Sequence, residues 1–220
     1  MKLDSRTLQV LKNFSTINPS VLFRPGNILK TITPTKTILA RATLQQEFPS
    51  QFAIYDLSKF LSVLSLFDDP DLEIGEKSVV IRSGRKKVNY VFADPNSIVA
   101  PKDDKEIRFP EPDVSFEFTQ EQLSDVMKAL GVLRQPEIAV TGDGEVITVQ
   151  TTNSKDPTSD VYSIEVGETN KRFNFIFKAE NIKLLPGTYR VDIAAAGISR
   201  FTGEDIEYFV AVESNSKFDG

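Results

Sequence analysis

The sequence predicts an α+β protein made of two similar domains, each with an antiparallel sheet and two helices. Three observations lead there: a proline-rich connector near the middle, a faint internal repeat on either side of it, and short alternating apolar segments bounded by turn signals. The connector is residues 94–114 (DPNSIVAPKDDKEIRFPEPDV), with prolines at 95, 101, 110 and 112 among a dense block of charges. Prolines at that spacing block a helix or a central strand and favour an extended chain. The chain is thereby divided into residues 1–93 and 115–220.

Each half opens with an amphipathic helix. In the first, Asp4 is placed to cap the N-terminus, and Leu8, Leu11, Phe14 and Ile17 follow at helical spacing. In the second, Thr119 and Gln122 have the spacing of a capping box ahead of Leu123, Val126, Met127 and Leu130. Further along each half, an apolar strand runs into a second helix: Phe52-Ala53-Ile54-Tyr55 into residues 56–61, and Phe175-Ile176-Phe177 into residues 178–182. Related strands close the halves, at 89–93 and 207–211. Alternating segments at 36–41 and 145–149 are set off by turn signals at 141–144, 82–85 and Pro186-Gly187. A single α+β domain with an accidental repeat is the competing reading of this pattern.

Composition narrows the chemistry. The chain has no cysteine and no histidine, which removes disulfides, thiolate nucleophiles, the commonest general base and the commonest metal ligands. No apolar run is long enough to span a bilayer, and Met1-Lys2-Leu3-Asp4-Ser5 lacks the apolar core of a signal peptide, so a cytoplasmic, membrane-free protein is expected. Its net charge of −5 is the opposite of what phosphate binding favours, so the placement of the positive charges matters more than their sum.

On the first helix, spacing residues by 100° puts Leu3, Leu8, Leu11 and Phe14 on the buried side, and Lys2, Arg6, Gln9, Lys12 and Asn13 on the other. Asp4 is the one acid there, at the end where the helix dipole favours it. Either a solvated stripe or contact with phosphate accounts for such a face. Ser58, Lys59, Ser62 and Ser65 form the polar side of the second helix. Gln120, Ser124 and Lys128 do so on the third, with Glu121 and Asp125 at its edge, and the helix expected near 179–185 offers Lys178 and Lys183. No aromatic residue interleaves with these cations and no Arg/Asn array suits base edges, so only sequence-blind backbone contact is indicated. Ser83-Gly84-Arg85-Lys86-Lys87 lacks the glycines and following helix of a phosphate loop and reads as a hairpin. Asp68-Asp69 and Glu204-Asp205 read as acidic turns, not as a cation site or a catalytic dyad.

The segments Leu11–Asn18, Ala53–Leu57, Phe60-Leu61 and Leu64–Leu66 resemble the sliding clamp of T-even-type bacteriophages. So do Ala93-Asp94-Pro95, Val99-Ala100-Pro101, Phe173–Ile176, Phe201–Glu204 and Tyr208–Ala211, in order along the whole chain; 19–50 and 137–172 are less recognisable. The resemblance implies a non-enzymatic homotrimeric ring with two similar DNA-clamp domains per subunit and twelve helices facing the ring interior. It implies no cofactor, metal or catalytic residue. The implied partners are duplex DNA without sequence specificity, the C-terminal peptide of a replicative DNA polymerase, an ATP-hydrolysing clamp loader and late transcription factors, in the cytoplasm of an infected bacterial host. Lys2, Arg6, Lys12, Lys59, Lys128, Lys178 and Lys183 would face DNA. Val99, Pro101, Tyr208 and Val210 would border the peptide pocket, with plain strand packing and a rigid linker as the alternative for each. A phage virion protein built of duplicated α+β domains is the rival function; a carboxylate-based enzyme has no motif in its favour.

Overall fold

A computed structural model of the chain describes residues 1–102 and 108–220. The chain divides into two compact units, Met1–Lys105 and Glu106–Gly220. Residues 103–107 of the expected connector lie outside the described residues.

The first unit opens with α1 (Ser5–Ile17), followed by β1 (Val21–Phe23), β2 (Gly26–Ile32), β3 (Ile38–Phe48) and β4 (Phe52–Ile54). Then come α2 (Leu57–Leu64), β5 (Asp71–Ile74), β6 (Ser78–Ser83) and β7 (Lys86–Val91). Asp4 caps α1 as expected, its Oδ1 accepting from the Thr7 N–H at 2.6 Å, and Asp56 caps α2 by accepting from the Lys59 N–H at 2.8 Å. Such caps satisfy donors that the first helical turn leaves over and contribute about 1 kcal/mol each. The buried stripe of α1 runs through Thr7, Val10, Leu11, Phe14 and Ile17. Leu3 and Leu8, expected on that side, are only half-buried, because the stripe that meets the unit's interior is centred on positions 7, 10, 14 and 17. Phe60 and Leu57 of α2 are buried with them. β1 pairs with β4 and β2 with β3, while β5, β6 and β7 form a meander, all antiparallel. The basic segment at 83–87 is the expected hairpin, with Gly84 at φ 56° in the left-handed region.

The second unit contains β8 (Val114–Phe118), α3 (Gln120–Leu133), β9 (Glu137–Asp143), β10 (Val146–Thr152), β11 (Ser163–Glu168) and β12 (Arg172–Lys178). It continues through β13 (Tyr189–Ala194), β14 (Ile198–Thr202), β15 (Ile206–Ala211) and β16 (Lys217–Phe218). One antiparallel sheet has the order β11-β10-β9-β12-β16; in the other, β8, β13, β14 and β15 are successive antiparallel neighbours. The capping box on α3 forms, with Thr119 and Gln122 satisfying each other's backbone donors. Met127 departs from the expected stripe: it is 38% exposed while Leu123, Val126 and Leu130 are buried.

The helix expected at 178–182 is a single 3-10 turn, Ala179–Asn181. Pro186 lacks the N–H that would extend a helix back to Ile182 and biases Leu185 away from helical geometry. Two tyrosines hold that alternative path. Tyr189 Oη donates to the Leu185 carbonyl at 2.7 Å, and the Leu185 N–H donates to Tyr208 Oη at 3.1 Å. Their rings pack edge to face in the core, 6.0 Å apart, so each phenol fills apolar space and still finds its polar partner.

A polar row crosses the other face of the β8–β15 sheet. Asp192 is fully buried; its Oδ1 accepts from Ser115 at 2.7 Å and Arg190 at 3.1 Å, and its Oδ2 from Arg200 at 2.8 Å. The Arg200 guanidinium in turn lies 4.7 Å from the centre of the Phe109 ring. Burial pushes the Asp192 carboxyl up, but the hydrogen bonds from Arg200, Ser115 and Arg190 outweigh it and hold the group below the ordinary carboxylate value. A depressed folded-state pKa contributes stability that is present above the unfolded value of about 3.9 and lost as pH falls through the folded one. Asp192→Asn is expected to destabilise the protein by about 2–3 kcal/mol at neutral pH by leaving two guanidiniums without their anion. Urea unfolding at pH 7 and pH 3 checks this, the variant losing less stability between the two than the parent.

Candidate nucleic-acid interface

The exposed faces of the helices form the candidate interface, and α1 and α2 define it best. Neither helix contains a carboxylate, in a chain with 31 acidic residues. Lys12 and Lys59 are exposed and have no ion pair among the described residues. Arg6 is half-buried and donates from Nη1 to Gln9 Oε1 at 3.3 Å. Lys2, expected on the same face, is paired with Asp69 in the turn after α2, and this hydrogen bond raises its pKa. Between these cations lie Ser15, Ser58, Ser62 and Ser65. The Ser15, Ser62 and Ser65 hydroxyls donate to carbonyls of their own helices, at 2.7, 2.9 and 2.7 Å.

In the second unit the face is less cationic. Lys128 pairs with Asp125 at 3.3 Å, an exposed contact of little energetic weight. Lys178, beside the 3-10 turn, lies 3.6 Å from Glu213, and Lys183 is half-buried. Sequence reasoning missed Arg134, exposed at the C-cap of α3 with φ 54°. The available signal was a cation at a helix C-terminus, where the dipole favours it.

The suggested peptide-pocket residues separate into two groups. The Val99 carbonyl accepts from Asn18 Nδ2 and the Pro101 carbonyl from Arg24 Nη2, both at 2.8 Å, which fastens the start of the connector to the first unit. Val99 is 44% exposed and Pro101 is buried. Tyr208 and Val210 are 0% exposed. The alternation along β15 turns them into the core, so neither side chain borders a surface of its own unit. Asp68-Asp69 and Glu204-Asp205 are turns, and the described residues contain no acidic cluster that could hold a metal.

Comparison with known proteins gives this arrangement its context. A family model described as "DNA polymerase processivity factor" matches residues 2–100, and one described as "gp45 sliding clamp, C terminal" matches residues 115–214. The sliding clamp of Vibrio phage KVP40 is 34% identical over 97% of this chain and all of the relative. Those of Escherichia phage RB69 and Enterobacteria phage T4 are 32% and 33% identical over the full length of both chains. Among solved structures, the PCNA of A. fulgidus, bound to the C-terminal region of FEN-1, has a TM-score of 0.70 at 11% identity, covering 96% of each chain. The DNA polymerase III β subunit of Pseudomonas aeruginosa has a TM-score of 0.67 at 11% identity, covering 96% of this chain and 63% of its own. The structural likenesses establish the clamp fold; the full-length phage relatives set aside the virion-protein reading. Two family segments in series, relatives matched from end to end and the clamp fold agree: the chain belongs to the phage sliding-clamp family, the non-enzymatic processivity factors of DNA polymerase.

Proposed function

We propose that three copies of this chain close head to tail into a ring around duplex DNA, in the cytoplasm of an infected bacterial host, and hold the replicative polymerase there. The absence of any carboxylate from α1 and α2 is the observation that carries the reading. Helices facing a polyanion gain by excluding acids, and the acids excluded from them leave the rest of the surface repelling DNA. Arg6, Lys12 and Lys59 supply the main phosphate contacts, with Lys2, Lys128, Lys178, Lys183 and Arg134 adding weaker ones. Each neutralised phosphate adds about one unit of salt dependence and holds the protein in place, so few contacts suit a protein retained by enclosure. A C-terminal peptide of the polymerase docks beside the fastened start of the connector at Val99, in the manner of the PCNA that binds the C-terminal region of FEN-1. An ATP-hydrolysing clamp loader opens and closes the ring, and late transcription factors use the same mobile platform.

Light scattering is expected to give a trimer, and the protein is expected to remain on nicked circular DNA after loading but to run off once the circle is cut. Free loss from intact circles would sink the proposal. Arg6→Glu combined with Lys12→Glu is expected to reduce processive synthesis by about tenfold, irrespective of template sequence. The circular dichroism spectrum should be unchanged, since neither side chain is in the core. Unaltered processivity would remove the α1 face from the interface.

A further inference from the structure

The two units present open sheet edges of opposite charge. β7 is the outer strand of the β5-β6-β7 meander, and β11 the outer strand of its five-stranded sheet. The far sides of these sheets are covered. Met1 accepts from the Leu72 N–H of β5 at 2.7 Å, and along β12 Asp219 N–H donates to the Arg172 carbonyl at 2.9 Å and Glu213 N–H to the Ile176 carbonyl at 2.8 Å. In these two sheets β7 and β11 are therefore the strands left available for pairing.

Lys86 and Lys87 are exposed on β7, just after Arg85 in the hairpin turn; Glu165 and Glu168 are exposed on β11. None of these five is in an ion pair among the described residues. Apolar groups lie beside the charges. Val91 is 68% exposed at the end of β7, and Val88, Tyr90, Ile164 and Val166 are half-buried.

We propose that this segregation of charge sets the polarity of ring closure: β7 of one copy seats antiparallel against β11 of the next, and like-with-like pairing is repelled. The inference rests on the ring reading above and adds what selects its direction. Val88 and Tyr90 stand opposite Ile81 and Val79, the buried residues of β6, so Lys87 points to the outer face of its sheet. Glu165 stands opposite Thr148, between the buried Ile147 and Val149, and so faces outward too. Antiparallel pairing that keeps the two buried faces continuous thus puts Lys87 on the same side as Glu165. A two-fold β7–β7 contact would instead oppose the lysines of both copies, and β11–β11 the glutamates; like charges directly across a strand pair are destabilising. A contact between two different edges uses each once per chain, which is the condition for a closed ring.

The test is a charge swap read by sedimentation of the chain over a dilution series, at low and high salt. Lys86→Glu/Lys87→Glu and, separately, Glu165→Lys/Glu168→Lys are each expected to weaken the trimer about tenfold or more, and the four changes in one chain to restore it. Lys87→Gln should have a smaller effect in the same direction, and added salt should weaken the parent trimer. Circular dichroism of each variant separates lost assembly from lost fold, which these exposed positions should not cause. Parent trimers indifferent to both single reversals, or folded four-change chains that stay apart, overturn the charge pairing alone. A parent chain that never assembles removes the ring reading with it.

Discussion

Segregation of charge is the constraint on which the rest depends. A chain with 31 acids against 26 bases keeps every carboxylate out of α1 and α2. It still places Asp4 and Asp56 at their N-caps, where an anion stabilises the helix end. The caps fix where each helix begins, and the beginning fixes which residues turn inward. With Ser5 as the first residue of α1, Val10, Leu11, Phe14 and Ile17 are committed to the core and Lys12 to solvent. Helix stability and surface chemistry are thus two results of the same few residues.

The second unit uses polar groups differently, placing them where they tie strands and loops together. Asp192 gathers Ser115 from β8, Arg190 from its own strand and Arg200 from β14. Arg200 extends that row to Phe109, which also approaches Phe209 at 6.3 Å. At the same end of the connector, the Asp113 side chain accepts from the Ala195 N–H at 2.7 Å and its carbonyl accepts from Lys171 Nζ at 2.6 Å. With Asn18 and Arg24 holding Val99 and Pro101, the connector is fastened where it leaves the first unit and where it enters the second.

What was legible in the sequence was local. The caps at Asp4, Asp56 and Thr119 are recognisable because donor and acceptor lie three residues apart, and the hairpin at Gly84 because its backbone requires that residue. Alternation along 206–211 marks a strand, yet it does not say which of its two faces is inward, and Tyr208 and Val210 were placed on the wrong one. The helix expected at 178–182 yields to hydroxyls from Tyr189 and Tyr208, the latter on a strand more than twenty residues further on. Asp192 gives no sign in the sequence of being buried, because two of its three partners come from other strands. Lys2 counted as a surface cation for the same reason: Asp69 meets it only in the folded chain.

The serines of the polar helix faces bear on how freely a clamp moves. Ser15, Ser62 and Ser65 direct their protons into their own helices, so a phosphate passing them finds no vacant donor to grip. Motion along a duplex is limited by the corrugation of the potential between successive phosphates, and each strong, directional bond deepens a well that has to be climbed out of. A lining of internally satisfied hydroxyls around a few mobile lysines keeps those wells shallow. Low friction is then a property of the helices' own backbone geometry, held by the same bonds that keep them folded.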